Sequence, residues 1–214
     1  MPPKAYKNWL IILATILLAS ISYNYWDIPV ALYFNAHRTT FAFAEFITKL
    51  GGGLEISIIL TTMIFIAYLR KNSSIMFQLI FVLILFAIIG LTNNIVKVIF
   101  ARARPIEYFE HAVYGFQFFK IGYYFASFPS GHTMAIVSLC AGLAGIWQKY
   151  RSLFFSIAAI VAFSRVVVCA HYLSDVIVGF VFSLYLVHYF TSIQAKLPFG
   201  NLFCARQIGY KSRS

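Results

Sequence analysis

The sequence predicts an all-α polytopic membrane protein, with six transmembrane helices and an interfacial helix in the first outer loop, as one domain over residues 1–214. Three observations carry this expectation. Of the 214 residues 61% are hydrophobic and only 11% are charged, whereas a soluble domain carries about 25% charged residues. The mean hydropathy is +0.82. Long apolar runs recur along the chain, with short polar breaks between them.

The runs cover residues 9–25, 54–69, 75–99, 133–147, 153–170 and 175–190. Crossing the hydrocarbon layer takes about 20 helical residues, with about 17 as the lower limit. The second and fourth runs are short, so their ends must extend into flanking polar residues or meet the interface. Lys4 and Lys7 before the first run resemble a signal peptide, but Ala19 and Ser20 make a weak cleavage site. The run is therefore read as an uncleaved first span. The segment Ile28–Leu50 is too mixed to span. Its Phe41, Phe43, Phe46, Ile47 and Leu50 share one helical face, so it either lies along the interface or forms a solvated loop. The stretch after Thr191, with Pro198 and Gly200, reads as an inner-surface tail. Cys140, Cys169 and Cys204 are widely spaced and lack metal-ligand or disulfide patterning. The first two read as buried small hydrophobes.

The net charge of +11 raises the question of nucleic acid, but the basic residues sit between apolar runs and form no stripe. Membrane topology explains them better, and no nucleic-acid partner is expected. The links Arg70–Ser74 and Gln148–Ser152 are tight and basic, while Asp27–Gly53 and Ala101–Pro129 are long, aromatic and contain acids. With the N-terminus inside, ten basic residues and no acid lie on the inner side, and all six acids lie outside. The positive-inside rule selects that orientation. Both termini are then cytoplasmic, and the long loops face the periplasm or cell exterior.

Three groups of polar residues fall on those outer ends. Lys97 and Arg104 are seven apart, nearly two helical turns, and so share a face. Pro105 disfavours helical geometry at Arg104 and ends the helix there. Arg104 can grip two oxygens in a planar fork, while Lys97 acts as a point charge. Headgroup snorkelling is the alternative for this pair taken alone, and Arg102 reads as a headgroup contact. In Pro129-Ser130-Gly131-His132, Ser130 is a helix N-cap, and the amides of the first turn are unpaired donors. Such an end binds anions, and glycine permits close approach. His132 beside it is placed as a general acid, or else is an ordinary interfacial histidine. Arg165, within an apolar run, is a functional-site hypothesis by default. His171 and Asp175 lie a turn apart on one helical face. Asp175 can then accept from one imidazole nitrogen and leave the other as a nucleophile, or the two form a structural pair.

Topology brings the groups together, because two crossings joined by a tight turn return the chain to the face it left. Three cations, two imidazoles, a hydroxyl, a glycine amide and a carboxylate suffice for phosphoryl transfer with no metal and no cofactor. The pattern Lys97-x₆-Arg104-Pro105, Pro129-Ser130-Gly131-His132 and Ser164-Arg165-x₅-His171-x₃-Asp175 resembles the three motifs of the type 2 phosphatidic acid phosphatase superfamily, with every defining position filled in order. The resemblance implies a helical bundle, a lipid phosphate substrate and a covalent phosphohistidine mechanism. It implies attack by His171, orientation by Asp175, proton transfer by His132, and phosphate binding by Lys97, Arg104, Ser130, Gly131 and Arg165.

The resemblance offers undecaprenyl diphosphate, phosphatidylglycerol phosphate, phosphatidic acid and lipid A as substrates. The reading leans to undecaprenyl diphosphate, with a lipid phosphotransferase using the same residues as an alternative. The aromatic segment 106–128 serves to anchor the chain or guide a lipid tail. Vanadate-dependent halide oxidation is a remote alternative, since relatives with that activity are soluble. A non-catalytic lipid binder has no need of an acid–nucleophile pair.

Overall fold

The computed structural model describes residues 3–196. The stretch after Thr191, expected as an inner tail, continues α9 to Gln194, and the rest of it from residue 197, with Cys204, Arg206, Lys211 and Arg213, lies outside the described residues. The regular structure of the described residues is helical, with no strand among them. Its helices are α1 (Pro3–Ile21), α2 (Asp27–Ala36), α3 (Phe43–Lys49), α4 (Gly53–Leu69), α5 (Ser73–Phe100), α6 (Pro105–His111), α7 (Gly131–Ile146), α8 (Arg151–Val167) and α9 (Leu173–Gln194).

Among the described residues four apolar stretches are long enough to cross a membrane: Trp9–Ala36, Ser73–Phe100, Gln148–Val167 and Leu173–Gln194. The helices over the short second and fourth runs, Gly53–Leu69 and Gly131–Ile146, have 17 and 16 residues. Large side chains such as Leu13, Leu17, Ile58, Phe65 and Leu91 are exposed on the outside of the bundle. In water such a surface would be an aggregation liability, whereas in a bilayer it faces solvent of its own kind.

The first run departs from expectation. It does not end at Tyr25. A π-helical turn, Ser22–Trp26, carries it directly into α2. The wider turn places Ser22 under Asp27, whose amide donates to the Ser22 carbonyl, while the Ser22 hydroxyl donates to Asp27 Oδ1 at 2.8 Å. A carboxylate inside an apolar helix reads as a break in the sequence. Here it is tolerated because it is fully paired, as described below. Only the seven residues of α3 form a separate helix in the remainder of that loop, and they pack on α8.

At the centre stands α7, packed against α5, α8, α9 and α4. Its Val137 and Cys140 meet Ile56 and Leu60 of α4, Leu79 and Val82 of α5, and Val161 of α8 in the main core. Between α7 and α9 the backbones nearly touch. A Cβ on Gly179 would lie 3.2 Å from the Ser130 carbonyl, so any side chain there would push α9 a few tenths of an ångström off the start of α7. This antiparallel packing puts the C-terminal ends of α5 and α8 and the N-terminal ends of α7 and α9 at one end of the bundle, and all three sequence motifs lie there.

Candidate active site

Each predicted residue arrives from a helix end. Lys97 is in the last turn of α5, which stops at Phe100 with Ala101 in the left-handed region (φ 41°). Arg104 is the N-cap of α6, with Pro105 at its first position, where a missing N–H costs nothing. Ser130 is the N-cap of α7, and Gly131 and His132 open that helix. Arg165 is in the last turn of α8, and Asp175 is in the first turn of α9.

A single carbonyl gathers two of the cations. Ala126 O accepts from Lys97 Nζ at 2.8 Å and from Arg104 Nη2 at 3.3 Å. Arg104 also donates through Nε to Tyr123 O (2.9 Å) and stacks over the Tyr123 ring at 4.1 Å. Arg165 donates through Nη1 to the Thr48 hydroxyl of α3 at 2.5 Å, and its buried Nε finds no partner among the described residues. The fields of Arg104, Lys97 and Arg165 all fall on both His171 and His132. Gly131 lies against the same cluster, since a Cβ there would sit 3.6 Å from Lys97 Nζ. The structure thus brings together Lys97, Arg104, Gly131, His132, Arg165, His171 and Asp175.

The helix of Lys97 stops at Phe100, four residues short of Arg104, so the two do not share a helix face as their spacing suggests, and Arg104 reaches the site from the start of α6. Two further details differ from the sequence reading. Ser130 occupies the N-cap position, but its side chain makes no capping bond; it is fully buried and accepts from Thr133 Oγ1 at 2.9 Å. Its own amide donates to Asp175 O at 3.2 Å, which ties α7 to α9. The second difference concerns His171 and Asp175, which do not share a helix face, because α9 begins only at Leu173. Asp175 Oδ2 already accepts from Ser127 Oγ (2.6 Å) and the Tyr172 amide (2.9 Å), and Oδ1 accepts from Arg102 Nη1. His171 Nδ1 stands 3.9 Å from Asp175 Oδ2 and donates instead to the Ser127 carbonyl at 2.8 Å. A carbonyl only accepts, so Nδ1 carries the proton and Nε2 keeps its lone pair. Ser127 therefore relays the orientation: the carboxylate holds its hydroxyl, and its carbonyl holds the ring.

Burial, then the positive field of Arg104, Lys97 and Arg165, hold the His171 pKa well below the usual imidazole value, with the Ser127 bond acting the other way. The free imidazole is neutral at ordinary pH and nucleophilic at Nε2. Three cations whose fields converge on the buried His171 ring, with Asp175 as the acid whose field reaches Lys97 and Arg104, suit an incoming anion.

Arg102, read from sequence as a headgroup contact, is the most deeply buried cation among the described residues, at 1% exposure. It is enclosed by rings, with Tyr172 at 4.6 Å and Tyr23 at 4.8 Å. Its Nη1 pairs with Asp175 and its Nη2 with Asp27 (2.7 Å). Asp27 further accepts from the Ser174 amide at 2.9 Å and from the Ser174 hydroxyl. Burial opposes the Arg102 charge, but Asp175 and Asp27 outweigh it and raise its pKa above the ordinary arginine value. The aromatic segment splits accordingly. Tyr114 and Phe116 turn inward around Arg102, whereas Phe119, Ile121 and Tyr123 are exposed. Sequence reasoning missed Ser127, Asp27, Arg102 and Thr48. The one available signal was charge at the edge of apolar runs, at Asp27 and Arg102. Among the described residues no three His, Cys, Asp or Glu side chains cluster as metal ligands.

Known proteins resemble this chain over part of its length. Lipid A 1-phosphatase of Rhizobium etli is 38% identical over 93 residues, which is 44% of this chain and 40% of that protein. Lipid A 4'-phosphatase of Porphyromonas gingivalis is 32% identical over 107 residues, 46% of this chain and 43% of that protein. The matches thus span about two fifths of the length of these curated relatives. Among solved structures, a transmembrane PAP2-type phosphatidylglycerolphosphate phosphatase from Bacillus subtilis superposes with a TM-score of 0.65 at 22% identity, covering 90% of this chain and 98% of that one, a likeness of fold. The PAP2 superfamily model matches residues 75–198, a stretch that contains all three motifs and more than half of the sequence. This chain belongs to the PAP2 superfamily.

Proposed function

We propose that this protein is an integral-membrane phosphatase that hydrolyses a lipid phosphate through a phosphohistidine at His171. The observation that carries the proposal is the Nδ1–H bond of His171 to Ser127 O (2.8 Å), which fixes the tautomer and leaves Nε2 free among three cations. In this reading Nε2 attacks phosphorus, and the bond to the leaving oxygen breaks as His132 donates its proton to that oxygen. Water then gives a proton to His132 and attacks phosphorus, the P–N bond breaks, and phosphate departs. Lys97, Arg104, Arg165 and the Gly131 amide hold the equatorial oxygens, and Ser130 braces the loop beneath them. Phosphoryl transfer is largely positioning and charge stabilisation, and one such donor is commonly worth about 10² to 10³ in rate. These side chains suffice without a metal or cofactor.

The chain acts as a single membrane-embedded domain with six crossings, α4 and α7 completing theirs with flanking polar residues. The site faces outward, as the excess of inner basic residues supports. The lipid A phosphatases among the relatives turn the preference from undecaprenyl diphosphate to lipid A, cleaved at a headgroup phosphate. Purified protein in detergent, with a chelator present, is assayed for phosphate release from lipid A, undecaprenyl diphosphate, phosphatidylglycerol phosphate and phosphatidic acid. Lipid A is expected to give the highest kcat/KM. Release from none of the four, or release abolished by the chelator and restored by a divalent metal, contradicts the proposal.

A further inference from the structure

Beside the phosphate site, the outer flank formed by α2, α3 and α8 carries an open cavity of about 510 Å³. That volume is in the range that seats one small ligand. Its walls are hydrocarbon and rings: Tyr33 and Phe34 from α2, Phe41 and Phe43 around the start of α3, and Ile160 and Phe163 from α8. Phe34 meets Phe41 edge-on at 5.3 Å and Phe163 at 6.1 Å, an arrangement that braces the cavity against collapse. The Ser164 hydroxyl, a polar group in the lining, is already committed to Val161 O at 2.7 Å.

The cavity adjoins the site through two separate elements. Ile47 of α3 and Ser164 of α8 line it. The next residue along each helix, Thr48 and Arg165, forms the hydrogen bond at the edge of the phosphate cradle. Arg165 Nε is buried without a partner among the described residues, a donor left for a phosphate oxygen. Both α2 and α8 belong to stretches apolar enough to cross a membrane, so the cavity opens at hydrocarbon depth.

We propose that this cavity seats one acyl chain of the lipid whose phosphate is bound at Arg165. The proposal rests on the phosphatase reading and names the part of the substrate that the site reads besides phosphate. Moving a chain from bilayer to protein gains little hydrophobic energy, because both surroundings are apolar. What the cavity supplies is register: a chain held there keeps the headgroup against Arg165, and misplacement of about 1 Å can cost about 10²-fold in rate. Substrates with acyl chains are thereby favoured over phosphates without them.

The test is Ala159→Phe, an exposed position that lines the cavity. The readout is the ratio of kcat/KM for dipalmitoyl phosphatidic acid in mixed micelles to that for water-soluble para-nitrophenyl phosphate. The ratio is expected to fall at least about tenfold. Ile84→Phe, on an exposed face of α5, is expected to leave both constants as in wild type. An Ala159→Phe ratio within twofold of wild type overturns the proposal. Independently of turnover, phosphatidic acid carrying a diazirine on its acyl chain is photolysed with the wild-type protein. Labelling of the peptides bearing Phe34 and Phe163 that excess phosphatidic acid suppresses and phosphatidylcholine does not supports the inference. Labelling indifferent to the headgroup of the competitor identifies bulk bilayer lipid and overturns it. If wild-type protein hydrolyses neither of these phosphates nor any of the other lipid phosphates named above, the phosphatase reading alone fails, and the cross-linking result still decides the cavity.

Discussion

Replacing Arg102 with methionine removes the cation that joins the first helix to the catalytic end of the bundle, while keeping an apolar side chain of similar length. Its two nitrogens pair with Asp27 and Asp175, at side-chain exposures of 1% or less throughout. Breaking one buried pair by deleting one partner costs about 3–5 kcal/mol, because a carboxylate is left uncompensated. Two pairs break here, but protonation of one carboxylate relieves part of the stranded charge, so the cost is taken near the single-pair figure. Loss of the cation–π contacts to Tyr23 and Tyr172 adds about 1 kcal/mol. The expected loss of about 4–6 kcal/mol is a large part of the about 5–15 kcal/mol that holds a typical domain together. At about 2–4 °C per kcal/mol for a chain of this size, Tm falls by about 8 °C or more. Thermal challenge followed by size-exclusion chromatography in detergent measures this. Adding Asp27→Asn to Arg102→Met removes one stranded charge, so the double variant should be less destabilised than the sum of the singles. Arg102→Lys, with one ammonium for two carboxylates, should fall between Arg102→Met and wild type. A Tm for Arg102→Met within about 2 °C of wild type would refute the reasoning.

Two further outcomes follow from the site. Burial and the three cations hold the His171 pKa well below the usual imidazole value, and the nucleophile must be neutral. The acid limb of kcat/KM, which reports the free enzyme, should therefore have its midpoint below about 6.5; a soluble aryl phosphate gives the profile. Stability moves the same way, being complete above about 6.5 and lost as the pH falls towards the folded-state value, since the unfolded imidazole takes up a proton that the folded one resists. At Gly131 an added Cβ would lie 3.0 Å from Asn93 Nδ2 and 3.6 Å from Lys97 Nζ. These are ends of flexible side chains, so Gly131→Ala should keep Tm within a few degrees while kcat/KM falls about tenfold or more through displacement of Lys97, as steady-state kinetics and thermal unfolding would register.

The parts of the site visible in the sequence were those marked by side-chain type at helix ends. Lys97, His132 and Arg165 could be gathered on paper because tight turns alternate with crossings. The His171–Asp175 relation was not legible in the same way. Four residues apart reads as one helix face, but Asp175 caps α9 from its first turn, and a carboxylate with three donors has little left for the ring. Its replacement, the Ser127 carbonyl, is a backbone group, and backbone groups leave no mark in the choice of amino acid. Arg102 and Asp27 were misread for a related reason. Each sits at the edge of an apolar run, where charge ordinarily means a headgroup, and their pairing across 75 positions depends on a π turn that residue types alone do not announce. Thr48 lies 117 positions from Arg165, with only tertiary packing to link them.

The covalent intermediate offers the most direct test of the central claim. Purified protein is mixed with a radiophosphate-labelled aryl phosphate, whose leaving group needs no proton, and quenched in alkali. A label on His171 that is lost in acid, kept in base, absent from His171→Ala and accumulated in His132→Ala is the expected result. Sustained turnover by His171→Ala, or a label on any other residue, would contradict it.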